Sequence, residues 1–198
     1  MIILLDNGHG IDTPGKRSPD GSVRESVYTR HIASRIKIVL TQLGYDARCI
    51  VPESNDIPLT ERVRRVNAIC DEVGAVNVVL VSIHVNAAGN GLEWKNARGW
   101  SAYTSKGTTK SDELATMMYI EGGHNFIGQT IRREFSDGDP DWEDSFYILK
   151  HTKCPAVLTE NFFMDNESDV KYLLSERGKL SIIKTHVDAL IKYVTKYE

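Results

Sequence analysis

The sequence has no run of about 18 consecutive apolar residues, so it contains no candidate membrane-spanning helix. Its first apolar stretch, Ile2-Ile3-Leu4-Leu5, stops at Asp6 with no basic segment before it, unlike a secretion signal. A chain read this way is expected to be cytoplasmic when made, or to have had a leader trimmed. Cysteine is scarce. Cys49, Cys70 and Cys154 stand far apart without a Cys-x-x-Cys spacing, which excludes a disulfide framework and a thiolate metal site. Cys154, just before Pro155, reads as a small buried hydrophobe beside a strand. Excess positive charge is missing too: 24 Lys and Arg stand against 27 Asp and Glu, a net charge of -3. No nucleic-acid partner is therefore expected. Most basic residues are mixed with acids, as in Glu61-Arg62-Val63-Arg64-Arg65, a pattern that predicts a solvated helix face. There is no internal repeat, low-complexity tract or linker. No Gly-x-Gly-x-x-Gly or Walker loop follows the first apolar run, which sets a nucleotide-binding domain aside.

What is present is ordinary in bulk and informative in order. With 198 residues, 41% hydrophobic and 26% charged, the chain fits one globular domain over 1–198. Short apolar runs alternate with longer helical patterns, the signature of an α/β sheet covered by helices. Strands are expected at 2–5, 46–51, 76–83, 100–104, 146–149 and 156–159. Helices are expected where Val27, Ile32, Ile36, Leu40 and Leu43 recur, where Leu59, Val63, Val66, Cys70 and Val73 share a stripe, over 112–135, and where Leu180, Ile183, Val187, Leu190 and Val194 close the chain. Gly44 and Gly74 follow the first two helices as stop signals.

Three of the apolar runs end in a polar residue of a particular kind: His9, His84 and Glu160. Sites in open α/β sheets gather beyond the carboxyl ends of the strands, so these endings are predicted to meet. Two imidazoles and one carboxylate form the ligand set of a catalytic zinc site that keeps a position for water. Glu25, where the Gly- and Pro-rich loop hands over to the first helix, is the candidate third ligand beside His9 and His84. Glu160 is then the candidate acid–base group. Taken singly, each has a bland reading as a turn residue, a core histidine, a helix-start acid or a strand end; it is the combination that favours a site. His31, His124 and His186 fit surface or packing roles, whereas His151 and Asn86 are kept as candidate substrate contacts.

At these residues the chain resembles the type-3 zinc-dependent N-acetylmuramoyl-L-alanine amidases. Leu5-Asp6-Asn7-Gly8-His9-Gly10 is similar to their strand and Gly-His-Gly turn, and Arg24-Glu25 to their acidic ligand at a helix head. Leu59-Thr60-Glu61-Arg62 is similar to their leucine–arginine helix, and Ser82-Ile83-His84-Val85-Asn86-Ala87 to their most specific motif. Pro155 through Glu160 is similar to their last strand with its catalytic glutamate. The resemblance runs nearly end to end. It implies a three-layer α/β fold with a mixed, mostly parallel sheet of about six strands. It implies one Zn2+ held by His9, Glu25 and His84, with Glu160 as base and then acid, and a peptidoglycan substrate cut between N-acetylmuramic acid and L-alanine. The enzyme is expected to act on the cell wall as a monomer, without an autoinhibitory helix. Two departures stand out: Asn161-Phe162-Phe163 follows Glu160 where the family usually has Gly-Phe, and the 89–99 connection is long. The alternatives weighed are an inactive wall-binding module and another zinc peptidase of similar layout.

Overall fold

The computed structural model describes residues 1–198. In chain order the elements are β1 (Ile2–Asn7), α1 (Glu25–Gln42), β2 (Asp46–Cys49), α2 (Leu59–Val73), β3 (Val78–Asn86), β4 (Ser101–Thr104), α3 (Lys110–Asn125), β5 (Trp142–Glu143), α4 (Tyr147–His151), β6 (Ala156–Phe163), α5 (Glu167–Leu174) and α6 (Glu176–Tyr197). They form one six-stranded sheet in the order β2-β1-β3-β6-β4-β5. All neighbours are parallel except β4 against β6, so the sheet is mixed and mostly parallel, as expected.

The apolar character of β3 follows from its place in the middle of the sheet. Val79, Val81, Ile83 and Val85 enter a large core beneath α1, α3, α5 and α6. Val78 and Leu80 enter a smaller core beneath α2 and α4. A strand covered on both faces cannot alternate with polar residues, which is why this run reads as continuous Val and Leu. The result is the three-layer α/β fold. Helix ends follow local chemistry. Gly44, at φ 91°, closes α1 with its N–H on the Thr41 carbonyl and that of Tyr45 on the Leu40 carbonyl. Thr109 and Asp112 form a capping box at the head of α3.

Four sequence expectations are corrected. Residues 147–151 form helix α4, not a strand, and the edge strand β5 lies just before them. The third helix ends at Asn125 instead of continuing to 135, because Phe126 leaves helical geometry to pack on Gly122 and Trp100. Val27, Leu43 and Leu180 are exposed, so their stripes are narrower than the periodicity suggested. His84 and Glu160 lie inside β3 and β6 and do not end them.

Candidate metal centre and its cleft

The site begins with a turn that few residues can make. His9 lies two positions beyond β1 with φ 61°, the left-handed region that non-glycine residues seldom enter. The neighbouring helix holds it there. Arg30 Nη1 donates to the His9 carbonyl at 2.7 Å, and Thr29 Oγ1 donates to the Gly8 carbonyl at 3.0 Å. Gly8 lies flat on the His84 ring: a Cβ there would come within 2.4 Å of Cε1.

Glu25 is the first residue of α1 and only 1% exposed. A helix start favours a carboxylate, but this one points across β1 into the sheet end. Its Oε1 accepts the Val85 N–H at 3.0 Å and faces His84 Nδ1 at 3.1 Å. Its Oε2 stands 3.5 Å from His9 Nε2 and, although buried, has no hydrogen-bond partner. The two imidazoles meet edge to face, with ring centres 5.1 Å apart. One donor atom from each of His9, Glu25 and His84 lies within 4.8 Å of the others. Such a set fits a divalent cation, and the orphaned Oε2 is the kind of atom that a cation satisfies.

The electrostatics favour the metal-binding form at two of the three candidate ligands. Burial pushes His9 down to about 4, against the pull of Glu25. Burial opposes charge on Glu25 as well, but hydrogen bonding and charge from His84 outweigh it and hold the carboxyl below its usual range. An anionic Glu25 beside a neutral His9 is ready for a metal. At His84 burial is outweighed by the Glu25 hydrogen bond and charge, which raise the imidazole, so a cation bound there would displace its proton.

Glu160 is the register partner of His84 on β6, so both side chains leave the same face of the sheet. Burial pushes its carboxyl up to about 7, with His84 pulling down and Glu25 pushing up. Its Oε2 is buried without a partner. His9, His84 and Glu160 share a cleft of about 450 Å³ with Lys16, Arg62 and Tyr147. The four residues singled out for chemistry are thus brought together, from the turn after β1 and from α1, β3 and β6. Asn86 and His151 do not line this cleft. Asn86 Oδ1 accepts the Ala87 N–H, and His151 lies against the Tyr147 ring at 4.1 Å at the end of α4.

Arg62 overturns one expectation outright. It is not solvated but 2% exposed. Its guanidinium donates to Asp6 Oδ1 at 2.6 Å, the Asn7 carbonyl at 2.7 Å, the Ile57 carbonyl at 2.7 Å and Asp56 Oδ1 at 2.9 Å. The signal was in the spacing: Arg62 lies four residues before Val66 and eight before Cys70, on the inward stripe of α2. Lys16 and Tyr147 were missed because a glycine-rich loop carries no periodicity and α4 was read as a strand.

Comparison with known proteins yields a consistent picture. The profile of a family described as N-acetylmuramoyl-L-alanine amidase matches residues 3–192. The endolysin of Bacillus phage SPP1 is 24% identical over 191 residues, covering 96% of this chain and 64% of that protein. The sporulation-specific N-acetylmuramoyl-L-alanine amidase of Bacillus subtilis is 26% identical over 190 residues, covering 95% of this chain and 66% of its own length. N-acetylmuramoyl-L-alanine amidase AmiC of Neisseria meningitidis is 25% identical, with 98% and 52% covered. The chain thus spans about half to two thirds of the length of these relatives. Among solved structures, N-acetylmuramoyl-L-alanine amidase AmiC2 of Nostoc punctiforme superposes with a TM-score of 0.81 at 22% identity, covering 98% of this chain and 97% of that one. The catalytic domain of CwlV from Bacillus (Paenibacillus) polymyxa gives 0.79 at 21%, with 98% of each chain covered. These likenesses establish the shared fold.

Proposed function

Because this chain belongs to the N-acetylmuramoyl-L-alanine amidase family, we propose that it hydrolyses the amide joining the lactyl group of N-acetylmuramic acid to L-alanine in peptidoglycan. The observation that carries this reading is the convergence of His9, Glu25 and His84 within 4.8 Å, with the buried carboxyl of Glu160 on the strand beside them. His9, Glu25 and His84 would hold one zinc ion, through two neutral imidazoles and a carboxylate. When bound, zinc supplies a Lewis acid that polarises a carbonyl and makes water more acidic.

The rest of the chemistry belongs to the chain. Glu160 takes a proton from the water that attacks the lactyl carbonyl carbon. It gives that proton to the alanine nitrogen as the carbon–nitrogen bond breaks, leaving a carboxylate and a free amine. A carboxyl held by burial near 7 is suited to both halves of this exchange. The buried Arg62 and Ser82 keep Asp6 fixed at the end of β1 and so hold the His9 turn at the cleft mouth. Lys16 and Tyr147 line the cleft where the stem peptide would lie. All these groups come from one chain, so the enzyme is proposed to act as a monomer.

The test is to incubate the zinc-loaded chain with purified muropeptides, with and without a chelator, and to measure newly freed L-alanine amine. Release that the chelator abolishes is expected, without any activator protein. The Glu160→Ala variant should keep its zinc and lose turnover by about a hundredfold or more. Absence of the free amine sinks the amidase reading, whereas near-normal turnover in that variant moves the acid–base role elsewhere.

A further inference from the structure

The candidate cleft holds one cation that nothing else in the chain answers. Its charged lining consists of His9, Lys16, Asp56, Arg62, His84 and Glu160. Arg62 is spent, because all three of its guanidinium nitrogens donate to the protein. Asp56 is spent as well, accepting from Arg62 Nη2 at 2.9 Å and from the Thr13 hydroxyl at 3.0 Å. Both histidines face Glu25. Lys16 alone makes no salt bridge and no side-chain hydrogen bond, although it is half-buried. Its backbone is nevertheless fixed. The Lys16 carbonyl accepts the N–H of Glu25 at 3.0 Å, Arg17 pairs with Arg24 in an antiparallel bridge, and the Ser18 N–H donates to the Val23 carbonyl at 2.8 Å. From the other side Gly91 closes on the Arg17 carbonyl, where a Cβ would come within 2.6 Å. The loop is thus tied both to the head of α1 and to the 89–99 connection, and it holds Lys16 at the cleft. Burial dominates the acidity of His9 and of Glu160, and the Lys16 charge adds a weaker downward pull on both, so it lies within electrostatic range of the reacting centre. A partly desolvated cation without an anion is unfavourable until a ligand brings one.

Resting on the amidase reading of this cleft, we propose that Lys16 is a specificity-determining residue that binds the α-carboxylate of the residue after L-alanine in the stem peptide. The chemistry of the substrate leaves few other anions. Its muramoyl side is uncharged, because the lactyl carboxyl is consumed in the scissile amide. Negative charge therefore lies on the peptide side, and the first carboxyl there belongs to the glutamate that follows L-alanine. No second cation in the cleft competes for it, since Arg62 is buried and already bound to Asp6 and Asp56. Ile57, Pro58, Phe146 and Tyr147 wall the same cleft with apolar surface, which excludes water and strengthens a charge pair. A carboxamide in place of that carboxylate is neutral and accepts a weaker hydrogen bond from the ammonium.

Two probes that differ by one charge test this: N-acetylmuramoyl-L-alanyl-D-glutamate γ-methylamide, with its α-carboxylate free, and the same compound with an α-carboxamide. Cleavage is followed with the zinc-loaded wild type, and binding by calorimetry with zinc-loaded Glu160→Ala, which is slowed enough to hold both. The wild type should prefer the carboxylate probe by about tenfold or more in kcat/KM, carried by KM, and Glu160→Ala should show the same preference in Kd. Adding Lys16→Met should bring the probes level by weakening only the carboxylate one; it keeps the backbone carbonyl that holds Glu25, so the fold is not at risk. Lys16→Arg, which retains the charge, should retain the preference, and high salt should narrow it. Equal affinity for the two probes, or a Lys16→Met loss shared by both, overturns the proposal. So does failure to bind either probe. Cleavage of neither probe with the Kd preference intact leaves Lys16 in this role and counts against the amidase reading instead.

Discussion

Replacing Arg62 by alanine is the most demanding test of how the fold supports the cleft. The side chain donates four hydrogen bonds, two of them to carboxylates and two to carbonyls of the segments that carry the His9 turn and the 55–58 loop. Its main partner, Asp6, is 1% exposed and retains only the Ser82 hydroxyl, at 2.6 Å, once the guanidinium is gone. Removing one member of a buried pair leaves an uncompensated charge and costs about 3–5 kcal/mol. That is a large share of a total stability of about 5–15 kcal/mol. In urea, with a slope of about 2 kcal/mol per molar, the midpoint should drop by roughly 1.5–2.5 M. Arg62→Lys should fall between, because an ammonium keeps the charge but cannot bridge both segments. Asp6→Asn combined with Arg62→Met should recover most of the loss, since it removes both charges. A cost below about 1 kcal/mol for Arg62→Ala, the size of a solvated pair, would refute this account.

Three further perturbations bear on the site and its supports. Gly8→Ala drives a Cβ into the His84 ring, so the variant should bind zinc at least about tenfold more weakly while its far-ultraviolet circular dichroism stays near wild type; unchanged zinc affinity counts against the packing argument. His186 is wholly buried, and its pKa is lowered from 6.5 to about 4 by burial. Below pH 6.5 the unfolded chain takes up a proton that the folded chain refuses until about 4. Stability from this group is therefore full above 6.5 and is lost on acidification through that window, by about 3 kcal/mol in all. His186→Gln should flatten that part of the pH–stability curve, which urea melts at pH 7 and 4.5 would reveal. Asn161→Leu should cost about 2–4 kcal/mol, because it leaves the Trp100 N–H and the His84 carbonyl without partners; loss of less than 1 kcal/mol in a denaturant melt would mean that water replaces the amide.

The sequence carried the three-layer α/β layout and the meeting of His9, His84 and Glu160 in one cleft, and carried the element boundaries less well. His9, His84 and Glu160 stood out because each follows a strongly apolar run. In a parallel sheet such runs are buried on both faces and carry their polar residues toward one rim, even where, as at His84 and Glu160, the strand continues past them. Arg62 was misread for the opposite reason. A run of mixed charge looks solvated, and only its spacing within α2 shows that one member turns inward toward Asp6. Phe146-Tyr147-Ile148-Leu149 was misread as a strand because a short apolar run has no period long enough to separate helix from strand. Here the Thr152 hydroxyl closes on the Ile148 carbonyl, at 2.8 Å, and stabilises a single helical turn. The α5 helix escaped because its eight residues offer little more than an Asn166 cap, which accepts the Ser168 and Asp169 N–H groups.

The departure after Glu160 has a structural meaning that joins these strands of argument. Along β3 and β6, His84 pairs with Glu160 but Asn86 pairs with Phe163, so β6 holds one extra residue between them. Phe162 takes that bulge with φ 66°, buried against Phe126 and Tyr172. A bulge bends its strand and leaves the opposite backbone without a ladder partner. Asn161 answers this directly: its amide donates to the His84 carbonyl at 2.9 Å and to Thr159 Oγ1 at 3.1 Å, and its Oδ1 accepts the Trp100 indole N–H at 3.0 Å. A glycine at this position has no side chain to do so. Two non-glycine residues near the candidate site are left-handed, His9 after β1 and Phe162 two residues after Glu160, and such strain survives only where surrounding contacts over-determine it. Arg30 and Thr29 hold the first, and Asn161 with the aromatic cluster holds the second. The side chains that would bind the metal and move the proton are aimed by the same contacts that keep these two turns from relaxing.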